Sequence, residues 1–217
     1  MCVAFLLVIA QAAAQSNTLV LTDYILAGNA AGGKNASKVT SENLLASDLV
    51  SYSGYFRISM NPFRHLFFWF FPCEYQPQNK PLLLWLQGGP GQSAMVAIME
   101  EFGPFVLNGD ISAVRYSPNS WTQDYNILFF DNPIGTGFSF SNASADSSYS
   151  ATVEDVADNL YHALIQFFMV FPEFRTNRFY IAGESYAGKY VPTLAYQIMN
   201  YNSRPTTSIR INLKGLY

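Results

Sequence analysis

The 217-residue sequence predicts an α/β fold: a parallel-type central sheet with flanking helices. Three observations predict it. "PLLLWLQ" (Pro81 to Gln87), "NILFFDNP" (Asn126 to Pro133) and "RFYIAG" (Arg178 to Gly183) are continuous apolar runs, the pattern of strands covered on both faces. Between the last two, Val153, Val156, Ala157, Leu160, Leu164, Phe167, Phe168 and Phe171 recur at helical spacing along one stripe. Strand, helix and strand with no hairpin turn between them imply parallel strands and a right-handed crossover. The first and third runs end in glycines, "GGPG" and "GES", where a chain leaves a sheet sharply.

Half of the residues are hydrophobic, 12% are charged and the formal net charge is −3. That balance suits a large packed core and gives no electrostatic reason to expect a nucleic-acid partner. Residues 1–14 read as a signal peptide, with an apolar run from Val3 to Ala10 before an Ala-x-Ala pattern at Ala12 to Ala14; no Lys or Arg precedes that run. Residues 15–50, including "AGNAAGGKNASK", are small and polar and are expected to be a mobile N-terminal segment, with the folded domain over 51–217. No later apolar run is long enough to span a bilayer. The sequons at Asn35 and Asn142 mark glycosylation sites on a secretory route. If Cys2 leaves with the signal, Cys73 is alone, either a buried thiol or one with a partner outside this sequence.

"GYFRIS" and "HLFFWFF" flank Asn61-Pro62 and predict a hairpin. Thr152 is placed to cap the amphipathic helix, with Asp155 adding negative charge to its first turn, and Pro172 marks its end. After Ser185, "YVPTLAYQIM" predicts a second helix with Pro192 near its start. "INLKGLY" reads as a further strand beginning.

Ser185 stands where a buried-type strand turns into a helix. Such a turn pushes its tip residue off the sheet beside a helix N-terminus, the arrangement of an activated serine. The turn is crowded, so its neighbours must be small: Gly183 lies two before and Ala187 two after, although the generic pattern has glycine in the second place. An acyl-transfer serine also needs donors for an oxyanion. The N–H groups of Gly89, in "QGGPG", and of Tyr186 are the candidate pair. A helix-capping serine and a plain tight turn are the simpler alternatives for these two features. His65 and His162 both precede Ser185, and no Asp, Glu or His follows it. A triad in the order Ser, acid, His therefore has no acid or base in this chain.

Taken together, "PLLLWLQGGPGQSA", "EEFGPF", "NILFFDNPIGTGFSF", "FFMVFPEF", "FYIAGESYAGKYVP" and "INLKG" resemble the serine carboxypeptidases, in particular the vitellogenic carboxypeptidase-like branch, from about Tyr52 onward and over the N-terminal half of a family member. The resemblance implies the N-terminal part of an α/β-hydrolase fold and a secreted or lysosomal exopeptidase acting on peptide C-termini. It implies Ser185 as nucleophile, Gly89 and Tyr186 as oxyanion hole, and Trp85, Gln87, Gly88, Glu101 and Glu184 as holders of the substrate's terminal carboxylate. No metal or cofactor is implied. Gln92 stands where the family usually has a cysteine, Gln87 where Asn is common, and Lys189 where His is common. Two carboxyl groups held close together share a proton, which implies activity favoured at acid pH. The chain alone, without triad Asp and His, is expected to be inactive. A non-catalytic secreted product, and an acyltransferase or esterase on the same turn, are the alternatives.

Overall fold

The computed structural model describes residues 18–39, 49–60, 63–107, 114–142 and 149–217. The expected signal segment and the Asn61-Pro62 turn lie outside them. The elements in chain order are α1 (Leu21–Leu26), α2 (Ala30–Ser37), β1 (Lys38–Val39), β2 (Ser51–Met60), β3 (Phe63–Phe71), β4 (Leu82–Leu86), β5 (Phe105–Leu107), β6 (Val114–Tyr116), β7 (Asn126–Phe130), β8 (Phe140–Ser141), α3 (Val153–Val170), β9 (Phe179–Gly183), α4 (Ala187–Asn202) and β10 (Leu213–Leu216). One mixed sheet runs in the order β1-β2-β3-β7-β4-β9-β10, with β8 on β3, and β5-β6 form a separate ribbon. β7, β4, β9 and β10 are parallel, as the apolar runs predict. β1, β2 and β3 add an antiparallel half that contains the predicted hairpin.

Alternation along the strands explains why the runs are continuous. Leu82, Leu84 and Leu86 of β4, Leu128 and Phe130 of β7, and Phe179 and Ile181 of β9 face one core with α3 and α4. Leu83, Trp85, Ile127, Phe129 and Ala182 face a second core with Met95, Ile98 and Phe105. Each strand is thus buried on both sides, and each large apolar side chain contributes roughly 1.5–3 kcal/mol. Phe70 is a node of the first core, with ring centroids 4.9 Å from Phe167, 5.3 Å from Phe171 and 5.0 Å from Phe174.

Helix α3 is closed by a reciprocal capping box. Thr152 Oγ1 accepts the Asp155 N–H at 3.1 Å, and Asp155 Oδ2 accepts the Thr152 N–H at 3.1 Å. It stops at Phe171, and Pro172 opens a 3₁₀ turn. α4 starts at Ala187, so Pro192 sits inside the helix rather than at its first position. Pro192 has no N–H to offer the Gly188 carbonyl four residues earlier, and both residues are exposed, so that acceptor is open to solvent.

The expectation of a mobile segment over 15–50 is corrected where it is described: "AAGGKNAS" is helical. Asn29 Oδ1 accepts the Gly32 N–H at 3.0 Å and caps α2. The α1–α2 pair is tied to the rest by side chains remote in sequence. Thr22 Oγ1 donates to Gln166 Oε1 of α3 at 2.6 Å, Asp23 pairs with Arg57, and Lys34 pairs with Glu173. Among the described residues no helix is long and apolar enough to cross a membrane. Cys73 is a buried free thiol, and its Sγ meets the Gln123 carbonyl at 3.1 Å.

Candidate active site

β9 ends at Gly183 and α4 begins at Ala187, leaving Glu184, Ser185 and Tyr186 to make the turn. Ser185 has φ of 54°, a left-handed conformation that costs a non-glycine residue about 1–3 kcal/mol. The turn is closed by Ala187 N–H to the Glu184 carbonyl at 2.9 Å and Gly188 N–H to the Ser185 carbonyl at 3.0 Å. Ser185 is exposed at the tip. The crowding read from the sequence is present: a Cβ on Gly183 would lie 2.6 Å from both the Ala187 Cβ and the Leu86 carbonyl.

β4 brings the glycine-rich loop to this turn. Leu86 pairs with Gly183, and Gly88 then abuts the turn itself. A Cβ on Gly88 would come 2.8 Å from the Glu184 carbonyl, 2.9 Å from the Ser185 Cβ and 3.1 Å from the Tyr186 nitrogen, so only glycine allows the approach. Gly88 therefore lies against Ser185 and Tyr186, whereas the neighbours of Gly89 are Gly91 and Gln92 of its own loop. Lys189 places its Nζ 4.9 Å from the centre of the Tyr186 ring, bracing the residue after the serine.

The five residues implied as carboxylate holders also meet here. Gln87 is 1% exposed at the end of β4. Its Oε1 accepts the Trp85 indole N–H at 2.7 Å, which fixes the direction of the amide. Its Nε2 then donates to Glu184 Oε1 at 2.7 Å and to Glu101 Oε1 at 3.2 Å. Gln87 thus reaches all three partners from a position where the family commonly has the shorter Asn. Trp85 is held in turn by Phe102, 4.6 Å between centroids, and Phe102 stacks on Trp121 at 4.2 Å. Burial pushes the Glu101 carboxyl above the usual carboxylate value, the Gln87 hydrogen bond opposes this, and the charges of Glu184 and Glu100 add to the rise.

The two histidines have other partners. His65 is buried in β3, stacked on Phe140 at 4.7 Å, with its Nδ1 unpaired. His162 on α3 meets the Asp158 carbonyl at 2.8 Å and the Asp158 carboxylate at 3.4 Å. Among the described residues no cluster of His, Cys, Asp or Glu could hold a metal ion. Asn35 and Asn142 are both exposed; the Asn142 side-chain oxygen accepts the Phe63 N–H at 3.0 Å.

A polar centre beside the site was not assigned from the sequence. Asp131 follows β7 and is 1% exposed. It accepts hydrogen bonds from Ser93 Oγ, Ala94 N–H and Phe138 N–H. The available signal is an acid placed directly after a continuous apolar strand, "NILFFD".

Residues 43–217 match the serine carboxypeptidase family. The chain is 44% identical over 198 residues to the human probable serine carboxypeptidase CPVL, covering 91% of this chain and 40% of that protein. It is 40% identical over 198 residues to the vitellogenic carboxypeptidase of Aedes aegypti, again covering 91% and 40%. Among solved structures, the prohormone-processing carboxypeptidase Kex1(Δ)p of Saccharomyces cerevisiae superimposes with a TM-score of 0.76 at 30% identity, covering 84% of this chain and 42% of that one. The chain thus spans about 40% of the length of the curated relatives it matches. Its mixed, mostly parallel sheet with flanking helices is that of an α/β-hydrolase, and the chain belongs to the serine carboxypeptidase family.

Proposed function

We propose that this chain carries the nucleophile and the carboxylate-binding side of an enzyme that releases single residues from peptide C-termini. Ser185 Oγ attacks the last peptide carbonyl while its proton passes to a general base. The N–H groups of Gly89 and Tyr186 hold the oxyanion. Collapse releases the C-terminal amino acid, which takes the proton, and leaves an acyl-enzyme on Ser185. Water then hydrolyses the ester. This reading assigns the base and its acid partner to the part of the relatives' length that the chain, which covers 40% of them, does not span. On this reading the described segment by itself does not turn over. The protein follows the secretory route, to the extracellular space or the lysosome, with glycans at Asn35 and Asn142.

One observation carries the reading. The turn that lifts Ser185 at positive φ and the Trp85–Gln87–Glu101–Glu184 network share the same strand ends. Glu184 lies next to Ser185 in sequence, so a terminal carboxylate held at the network places the last peptide bond beside the nucleophile. Both Gln87 amide hydrogens are already directed at carboxylates. A side-chain donor for the substrate carboxylate is then a protonated acid, which makes acid pH favourable.

The test uses the full-length protein. A fluorophosphonate probe is expected to label the wild type at Ser185 and to leave Ser185→Ala unlabelled. Peptides with a free C-terminus should lose their last residue, and amidated peptides should react poorly. Absence of labelling would sink the nucleophile. Ester cleavage or acyl transfer without release of C-terminal residues would move the chemistry to another acyl acceptor.

A further inference from the structure

We propose that Asp131 is the positioning residue that locks the glycine-rich loop after β4 in register with Ser185; this rests on the reading of Ser185 as nucleophile. The carboxylate ties together two loops that leave neighbouring strands. Oδ1 accepts Ser93 Oγ at 2.6 Å and the Ala94 N–H at 2.9 Å, on the loop from β4. Oδ2 accepts the Phe138 N–H at 2.8 Å, on the loop from β7. The main chain of Asp131 is fixed as well, by its N–H to the Phe67 carbonyl at 3.2 Å and by Ser139 Oγ to its own carbonyl at 2.6 Å. Gly137 packs directly on the carboxylate.

The connection to the site is short. Ser93 and Ala94 follow Gly88–Gly91 almost at once, and the Gln92 N–H returns to the Gly88 carbonyl at 3.2 Å. Gly88 is in turn seated against Ser185 and Tyr186. Movement at residues 93–94 therefore reaches the Gly89 N–H through a few residues, while Trp85, Gln87, Glu101 and Glu184 have their own bonds.

The chemistry asks for a carboxylate here. Among the described residues no cation forms an ion pair with Asp131. Burial alone raises its affinity for a proton, and the three donors act against that rise. A buried acid without a cation costs stability, so a less expensive residue would serve if packing were the only need. Asparagine has one acceptor oxygen. In either orientation its NH₂ would face an N–H or O–H donor, from Ser93 and Ala94 or from Phe138.

The experiment compares Asp131→Asn and Ser93→Ala with wild type in the full-length protein. A displacement of the oxyanion donors by about 1 Å costs roughly 10²-fold in rate, so kcat is expected to fall by about that factor in Asp131→Asn. In Ser93→Ala, which keeps the Ala94 bond, it is expected to fall about tenfold. KM should stay within about threefold in both, as for loss of an interaction made in the transition state. Affinity for a peptide aldehyde, which forms an oxyanion adduct on Ser185, should fall with kcat, and affinity for a product amino acid should not. Amides of residues 88–94 should exchange faster while those of α3 and α4 keep their protection. If Asp131→Asn does not fold, Ser93→Ala decides. Unchanged kcat and aldehyde affinity in Ser93→Ala overturn the proposal, as does a uniform loss across KM, kcat and exchange. A wild type that the fluorophosphonate does not label defeats the nucleophile reading instead. Exchange at 88–94 then still decides whether Asp131 braces the loop.

Discussion

Replacing Glu101 by Gln in the full-length protein isolates the proton on which the proposed acid-favoured binding depends. Gln87 Nε2 reaches Glu184 at 2.7 Å and Glu101 at 3.2 Å, so one nitrogen holds both carboxyl groups within the roughly 4–6 Å over which like charges oppose each other's ionisation. The affinity of Glu101 for a proton is raised, by burial first, with the Gln87 hydrogen bond opposing and the charges of Glu184 and Glu100 adding. On the proposed function it donates to the substrate carboxylate at low pH. As pH rises past its raised value the donor is lost, and a negative charge takes its place opposite the substrate.

A charge pair at such a distance is worth about 3 kcal/mol at an effective dielectric near 20. Both glutamates remain open to solvent, so the burial at the Glu101 carboxyl is partial and the figure falls to about 1 kcal/mol after solvent and salt screening. That corresponds to a rise in KM of about fivefold as pH rises from below to above the raised Glu101 value. In Glu101→Gln the amide keeps an N–H donor and no charge at every pH, and its oxygen still accepts from Gln87. The KM profile should therefore flatten to within about twofold, with kcat following the wild-type pH dependence because the triad base is untouched. Steady-state kinetics on a blocked dipeptide across that range, with Glu184→Gln as a second arm, measures this. A Glu101→Gln enzyme that retains the wild-type rise in KM refutes the shared-proton argument.

Three other outcomes follow from the same structure. Gly88→Ala drives a Cβ to 2.9 Å from the Ser185 Cβ and should lower fluorophosphonate labelling of Ser185 by about 10²-fold, with α3 still protected from exchange; ordinary labelling would contradict the close approach. Thr152→Ala removes half of the capping box and should cost about 1 kcal/mol, a fall in Tm of about 2–4 °C for a chain of this size. His65 is held below its ordinary value of 6.5, by burial first and then by Arg57, with Asp23 opposing. A depressed folded value means that the stability is complete above pH 6.5 and is lost as pH falls through the folded value, by at most about 1.4 kcal/mol per pH unit. His65→Phe keeps the stack on Phe140 and should narrow the loss of Tm on acidification; an unchanged slope would assign that loss to other groups.

What the sequence discloses follows the range of the forces involved. β4, β7 and β9 are legible because both faces of each are buried, which leaves an unbroken apolar run in a few residues. α3 is legible because its stripe and its cap, Thr152 with Asp155, are local. The turn at Ser185 is legible because its crowding involves residues two positions away. α2 is not, since "AAGGKNAS" has no apolar period; its cap at Asn29 is local, but its anchoring contact, Lys34 with Glu173, spans 139 positions. The carboxylate network was available only through family resemblance, because Gln87 and Glu184 lie 97 positions apart. Asp131 and Ser93, 38 apart, escaped even that. Yet these polar contacts have a common origin. Gln87 and Asp131 each stand directly after an apolar strand of the parallel sheet, where the pleat stops burying side chains and the loops converge. A polar residue that remains 1% exposed there must find its hydrogen bonds on neighbouring loops. The strand ends are visible in the sequence; which loop answers them is decided by strand order, and β7 beside β4 beside β9 is what sets Asp131, Gln87 and Ser185 side by side.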